Sequence, residues 1–321
     1  MKKLCMKIIA LCLVTFAVVL FLFYSAYFLT PSSFSDSYQK GFNYQYYALK
    51  HSDDKPKIMV LGGSYMTFAT NTRLLSDMAK RPAYTLGIHG GMGMSYILET
   101  AMKFIKEGDI VVYSFRPFAK DDYGMDLIYL CFENDKELFL DFLKSHPWTV
   151  IKTFPSSIYT KAYNIFHAFV RKNVFNKESV YSAKAFDKNT GNLIYPRPGI
   201  DKDIPESEFE PRFTYDISEI EPSCIKSLND LDAYCKNQGA QLFICFSPAY
   251  EGSVISTEAS LKQYEEFISK ALSAPILSSI HKNLFPKDCV YNGALHLNDI
   301  GAEKYTKQMY EDIEKHILST P

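Results

Sequence analysis

The chain has 321 residues, of which 47% are hydrophobic and 15% aromatic. This is enough apolar material for one large or two ordinary globular domains, and it excludes a disordered chain. The formal net charge is −1 and the pI is about 6.7, so the basic surface that nucleic-acid binding requires is not expected.

The amino terminus differs in composition from the rest of the chain. Residues 8–30 carry no charge, and a helix of that length spans roughly 35 Å, more than the apolar core of a bilayer. Three lysines precede this stretch, which places the amino terminus in the cytoplasm and the main domain outside. A cleaved signal peptide is the alternative, but the apolar stretch is long for one and lacks a clear cleavage site before Pro31. We therefore expect a signal anchor, a transmembrane helix over residues 1–30, and a single-pass protein of the cell membrane.

The first strand of the main domain is expected at the start of the stretch Lys57–Tyr65. A short, mostly apolar run leads there into Gly62, Gly63 and Ser64, which predicts a strand covered on both faces, as in parallel sheets. Ser64 then stands at the carboxyl end of this strand, where α/β proteins bind ligands. The alternative is that Ser64 only caps the following helix.

Strands and helices alternate through much of the remaining chain, which indicates a parallel sheet with helices on both faces. We predict further strands at 83–86, 109–115, 240–246 and 275–277. The predicted helices are 64–80, 94–106, 222–237, 257–272 and 300–317. The pattern is lost at about 118–221, where an insertion of helices and loops is expected. The fold class is therefore α/β, a three-layer flavodoxin-like parallel sheet of about five strands over 56–321, preceded by a tether at 31–55.

Two further segments carry groups suited to a ligand site. The loop Gly87–Gly93 follows the second strand, and its four glycines allow the backbone to approach a ligand closely. His296 lies just before the final helix, which Asn298 or Asp299 would cap. Histidine is the usual general base of enzymes, although a lone histidine near a helix start also occurs as a surface or capping residue.

Taken together, Gly-Gly-Ser at 62–64, the glycine-rich loop at 87–93 and His-Leu-Asn-x-x-Gly-Ala at 296–302 resemble the SGNH (GDSL-like) hydrolase family. The similarity covers about 57–115 and 222–317. In particular the chain resembles membrane-anchored bacterial envelope members, a group that includes the D-alanylation protein of teichoic-acid synthesis and polysaccharide O-acetyl esterases or transferases.

The resemblance implies a role for each matching position. Ser64 matches the nucleophile and His296 the base that activates it. The N–H groups of Ser64 and Gly87 match two oxyanion donors, with Gly63 beside them, and neither a metal nor a cofactor is implied. Such a pair forms an acyl-enzyme, whose acyl group then passes to water or to a sugar hydroxyl.

The expected third member of the catalytic group departs from the family pattern. The family usually has an Asp three or four residues before the His, where this chain has Gly293 and Asn292, and the nearest acid upstream is Asp288. An Asn accepts the N–H of an imidazole but does not offset the charge of the imidazolium that forms during catalysis.

The oxyanion positions depart as well. Leu86, rather than the frequent Asn, precedes Gly87. The family's third block has an Asn side chain and falls here at 114–117, where Arg116 is the candidate to stabilise an anion. A structural ion pair is the alternative role for Arg116, and His89 is a further polar candidate that is also explained by a structural role.

These features predict an extracytoplasmic acyl esterase or acyltransferase that acts on cell-envelope glycopolymers, a polysaccharide or a teichoic acid, with a membrane-bound acyltransferase as a candidate partner. The alternative is a catalytically weak or inactive relative that serves as a binding or assembly component. A flavodoxin-like cofactor binder is disfavoured, because the glycines do not form a G-x-G-x-x-G motif.

Overall fold

The computed structural model describes residues 2–29, 37–116, 123–170, 179–211 and 213–319. Helices and strands are numbered here in chain order within those ranges. The helices are α1 (Lys2–Tyr24), α2 (Lys40–Lys50), α3 (Ser64–Ala69), α4 (Thr72–Ala79), α5 (Met94–Met102), α6 (Met125–Phe132), α7 (Lys136–Ser145), α8 (Pro147–Val170), α9 (Pro222–Asn237), α10 (Glu258–Ala271) and α11 (Asp299–Ser319). The strands are β1 (Ile58–Leu61), β2 (Ala83–Leu86), β3 (Ile110–Phe115), β4 (Gln241–Phe246), β5 (Ala249–Tyr250) and β6 (Leu284–Phe285).

The chain divides into two compact units. The anchor unit comprises Met1–Lys40 and Met125–Ala183, and the sheet unit comprises Gly41–Gly124 and Lys184–Pro321. The described part of the range 118–221, where we expect an insertion, is thus shared between the units.

A parallel sheet of four strands, in the order β2-β1-β3-β4, forms the centre of the sheet unit. Ile58 of β1 lies beside Ala83 of β2 on one side and Ile110 of β3 on the other. The predicted α/β class and parallel sheet are confirmed, with four strands where we expected about five.

The segment predicted as a fifth strand contacts β4 through a single bridge. Ile244 donates its N–H to the carbonyl of Pro275 at 2.9 Å and accepts the N–H of Leu277 at 2.8 Å. Pro275 has no N–H to donate, so the ladder cannot extend from this bridge toward the start of β4. A separate two-stranded parallel sheet joins β5 and β6.

The strand order defines where a site can form. The chain runs from β1 to β2 on one side and then crosses to β3 on the other side of β1. In open α/β sheets, ligands bind at such a switch point, outside the carboxyl ends of the two strands. Ser64 follows β1 and Arg116 follows β3, so both residues lie at this edge.

A buried ion pair fixes the opposite end of the same two strands. Lys57 and Asp109 are 1% exposed each and precede β1 and β3. Asp109 accepts the ammonium of Lys57 at 2.6 Å, the Lys57 backbone N–H at 2.9 Å and the Lys106 N–H at 2.8 Å. Because both oxygens of the carboxylate are bonded, the buried charge is compensated.

Two segments differ from the sequence prediction. One predicted helix is broken in two, and the expected tether contains a helix. The helix predicted over 64–80 is interrupted, and Asn71 caps the second part by accepting the Leu74 N–H at 3.0 Å. The range 31–55, expected to be a tether, includes α2, in which Phe42, Tyr46 and Leu49 are buried. Residues 30–36 lie outside the described ranges.

The anchor unit holds the apolar amino-terminal helix. The stretch Lys2–Leu29, which is α1 and a short π-helical continuation, is long and apolar enough to cross a membrane. At its carboxyl end, Phe23 packs against the rings of Tyr27, Tyr129, Phe139 and Phe154.

Candidate functional site

The hydroxyl of Ser64 is directed to a histidine rather than to the helix that it begins. Gly63 is the N-cap of α3 and makes no side-chain cap bond, while its carbonyl accepts the Met66 N–H at 3.0 Å. The Ser64 Oγ lies 2.9 Å from Nε2 of His296. Ser64 therefore does not cap α3, and its hydroxyl is in contact with a base.

A hairpin-like loop before α11 holds His296. Val290 and Leu297 form an antiparallel bridge, and the Tyr291 N–H donates to the His296 carbonyl at 2.7 Å. Gly293 lies at the turn with φ of +140°, a conformation that side-chain-bearing residues rarely adopt. The loop therefore places the side chains at positions 292 and 296 next to each other.

Asn298 fixes the far side of this loop to α11. Its Oδ1 accepts the Gly301 N–H at 3.0 Å, and its Nδ2 donates to the carbonyls of Asp288 and Val290 at 2.6 Å and 3.1 Å. Of the two capping residues that the sequence offers, Asn298 makes the N-terminal cap bond. Asn298, the Asn of the His-Leu-Asn sequence, thus holds the histidine loop against the start of α11.

Asn292 completes a chain of three side chains. Its Oδ1 lies 2.8 Å from Nδ1 of His296. An oxygen acceptor at that distance places the imidazole proton on Nδ1, so the lone pair of Nε2 faces the hydroxyl of Ser64. Asp288 occupies a separate 3₁₀ turn, Lys287–Cys289. A hydroxyl, an imidazole and an oxygen acceptor in this order are the groups that a nucleophile, its base and an orienting residue require.

The surroundings of His296 favour its neutral form. The ring stacks on that of Phe68, with centroids 4.1 Å apart and planes at 14°. Burial of the ring lowers the pKa of His296 to about 3, and the electrostatic interactions with Arg197 and His89 act in the same direction. The imidazole is thus free to accept a proton at neutral pH, but the imidazolium that results is poorly stabilised.

Arg197, which sequence analysis did not identify, connects the histidine loop to α3. The buried guanidinium donates to the carbonyls of Phe68 at 2.7 Å and Leu297 at 3.2 Å. It also pairs with Asp299 at 3.1 Å. Arg197 lies between two prolines in a loop-rich tract, and no periodic pattern there marks one residue as buried.

Replacement of Arg197 by Met is expected to lower the free energy of unfolding by about 3 kcal/mol, because two buried carbonyls lose their donor. Chemical denaturation of the full chain in detergent measures this change. Arg73→Met, at an exposed position on α4, is the matched control and should change the free energy by less than about 0.5 kcal/mol. Equal stability of the two variants would show that the Arg197 bonds contribute nothing.

The N–H of Gly87, which the resemblance matches to an oxyanion donor, is bonded inside the protein. It donates to Oε1 of Gln45 at 2.9 Å, and Nε2 of Gln45 donates to the Thr85 hydroxyl at 3.1 Å. Gln45 is fully buried on α2, in a range whose composition gives no indication of a packed helix. With Gln45 in this position, the Gly87 N–H already has a hydrogen-bond acceptor inside the protein.

Glycine at position 87 is required on steric grounds. Its φ is +118°, and a Cβ there would lie 1.7 Å from the carbonyl oxygen of Gly62. The loop after β2 therefore packs directly on the turn that carries Ser64.

Arg116 reaches the same turn from β3. A Cβ on Gly63 would lie 2.8 Å from the backbone nitrogen of Gly90, and one on Gly90 would lie 2.7 Å from Nη1 of Arg116. The guanidinium also lies over the ring of Tyr65, 5.3 Å from its centroid. The structure thus brings Arg116 and the Ser64 turn together across the glycine-rich loop.

His89 belongs to this loop. Its Nδ1 accepts the Gly91 N–H at 3.0 Å, and burial together with the charge of Arg116 lowers its pKa. The N–H bond gives His89 a structural role in shaping the loop.

A cleft of about 800 Å³ lies on the surface beside Arg197, and neither Ser64, His296 nor Asn292 is among the residues that line it. Arg197 and Asp299 line it, together with the rings of Tyr84 and Tyr195. Clefts of this size with a few polar groups are typical of ligand-binding sites.

No family model matches the chain, and no curated protein matches it.

Proposed function

We propose that the chain is a membrane-anchored serine acyl esterase or O-acyltransferase of the SGNH type, with a three-layer flavodoxin-like domain outside the cell membrane. The observation that supports it is the hydrogen-bonded series Ser64, His296 and Asn292, with spacings of 2.9 Å and 2.8 Å. A serine, a base and an orienting group within hydrogen-bond reach are what nucleophilic acyl transfer requires.

In the first half-reaction, Ser64 Oγ attacks the carbonyl carbon of an ester while its proton passes to Nε2 of His296. The tetrahedral oxyanion that forms is stabilised by the Ser64 N–H at the start of α3 and by the positive charge of Arg116. Collapse breaks the ester bond, and the leaving alkoxide takes the proton from His296. The acyl group remains on Ser64.

In the second half-reaction, His296 removes a proton from water or from a sugar hydroxyl. The resulting oxygen nucleophile attacks the acyl-serine, and the bond from the acyl carbon to Ser64 Oγ breaks. Ser64 takes the proton back from His296, and the free acid or a new ester is released. The cleft next to Arg197, with its two tyrosine rings, would hold the part of a glycopolymer that extends beyond the reacting ester. The helix α1, with its amino terminus in the cytoplasm, would hold this chemistry at the cell envelope.

A catalytically weak or inactive protein with the same fold is the second candidate. Two observations favour it: the neutral Asn292 beside the ring, and the lowered pKa of His296. Such a protein would bind an envelope polymer or a membrane-bound acyltransferase.

Hydrolysis of p-nitrophenyl acetate by the full chain in detergent separates the two candidates. The enzyme proposal expects turnover by the unaltered chain and loss of it in Ser64→Ala, because the acyl-enzyme cannot form. Ser218→Ala, in the exposed 3₁₀ turn Ile217–Glu219, is the control and should retain full turnover. Equal rates for the unaltered chain and Ser64→Ala would contradict the enzyme proposal.

A further inference from the structure

One face of α8 in the anchor unit exposes large apolar side chains. Trp148 is 73% exposed, Ile151 54% and Tyr159 72%, and Tyr163 and Phe166 continue the series at 51% and 64%. With 3.6 residues per helical turn, these positions fall on one side of the helix. We call this set the α8 stripe.

The opposite face of α8 packs within the anchor unit. Val150, Ser157 and Lys161 are buried there, and Lys161 forms an ion pair with Glu133. The helix therefore has apolar residues on both sides: those that face the anchor unit are buried, and those of the α8 stripe are exposed.

Contacts with the carboxyl end of the apolar helix fix the position of α8. Phe154 packs on Phe23 with ring centroids 4.7 Å apart, and the Tyr27 hydroxyl donates to the Ser157 carbonyl at 3.0 Å. The residues of α1 just before this contact are apolar and exposed, as Phe21 at 65% and Leu22 at 51% show. The lipid-facing surface of α1 thus continues to within one residue of its contact with α8.

We propose that the α8 stripe inserts into the surface of the same bilayer that α1 crosses. Trp and Tyr are enriched where hydrocarbon meets headgroups, because their rings are apolar and their N–H or O–H groups remain hydrated. Lys152, an exposed lysine on the same helix, suits lipid phosphates. An interfacial helix of this kind places its apolar face about 5–10 Å into the boundary between headgroups and acyl chains.

The inference goes beyond the proposed acyl chemistry, since it requires only that α1 lies in a membrane. It gives the anchor unit a second, lateral attachment to lipid. A protein surface, including a second copy of this chain, is the competing occupant of the stripe.

The chain provides its own probe, because Trp148 is its single tryptophan. The full chain is reconstituted into phosphatidylcholine vesicles, purified by flotation after an alkaline wash, and its tryptophan emission recorded. Lipids brominated near the glycerol end of the acyl chain are expected to quench Trp148 several-fold, while aqueous iodide leaves it unchanged. The double variant W148F/Y159W moves the probe along the stripe and should give the same result.

Three outcomes would overturn the inference. Quenching of Trp148 by iodide in floated vesicles would place the stripe in water, with α1 still anchored. Protection from both quenchers would show that protein covers the stripe. Failure of the chain to float would contradict the membrane anchor as well, whereas ester hydrolysis in detergent is unaffected by any of these results.

Discussion

Asn292→Asp is expected to raise kcat for ester hydrolysis by up to about 10⁴-fold, the factor that the reverse change costs in a serine protease. The carboxylate would occupy the place of Oδ1, 2.8 Å from Nδ1 of His296, and would offset the charge of the imidazolium. Position 293 is unsuited to the same role, because its φ of +140° favours glycine. Steady-state hydrolysis of p-nitrophenyl acetate measures the change.

The same variant should alter the pH profile. In the unaltered chain the pKa of His296 is lowered to about 3, so the base is neutral and kcat/KM should stay flat between about pH 5 and 8. The added carboxylate favours the protonated ring and raises its pKa, so activity should fall as the pH drops through the new value. Asn189→Asp adds the same charge at an exposed position and should change neither rate nor profile. Unchanged kinetics in Asn292→Asp would show that this position does not orient the base.

His296→Ala is expected to lower kcat by only about 10²-fold. Loss of the histidine from an intact triad lowers kcat by roughly 10⁶-fold, and the effects of triad members are not additive. With Asn at position 292, kcat is already about 10⁴-fold lower than with Asp, so about 10²-fold remains to be lost. Added imidazole should restore part of the activity by entering the space beside Phe68.

The control for this variant is His281→Ala, at an exposed histidine that pairs with Glu258. It should retain the full rate. A His296→Ala variant as active as this control would mean that another group accepts the proton from Ser64.

The sequence predicts those parts of the site that are marked by a pattern of neighbouring residues. A short apolar run into Gly-Gly-Ser defines β1 and the position of Ser64, because the glycines and the strand lie next to each other in the chain. The contact between His296 and Ser64 joins residues far apart in sequence, and it was predicted from the resemblance of the two segments, taken together, to one family.

The sequence did not predict the buried polar residues that hold the site in place, because they belong to no periodic pattern. Arg197 stands in a proline-rich tract and Gln45 on a helix of mixed polarity, and each is buried by contacts with distant segments. A buried polar side chain of this kind is fixed by its tertiary partners, which no local pattern specifies. The bond from Gln45 also directs the Gly87 N–H inward, so the donor expected from the resemblance is occupied in this arrangement.

The separation of the helix after Ser64 into α3 and α4 has a similar origin. The sequence stays compatible with a helix through 64–80, but the Asn71 N–H donates to the Thr306 hydroxyl at 2.9 Å. That bond from α11 replaces a helical one, and Asn71 then serves as the cap of α4. The interruption between α3 and α4 is therefore caused by a tertiary contact.

The most direct test of the account is whether Ser64 reacts as a nucleophile. The full chain in detergent is treated with a fluorophosphonate, and the modified residue is located by peptide mass spectrometry. We expect a single adduct on Ser64, formed faster in Asn292→Asp, slower in His296→Ala and not at all in Ser64→Ala. An unmodified Ser64 in both the unaltered chain and Asn292→Asp would contradict the assignment of this site to acyl chemistry.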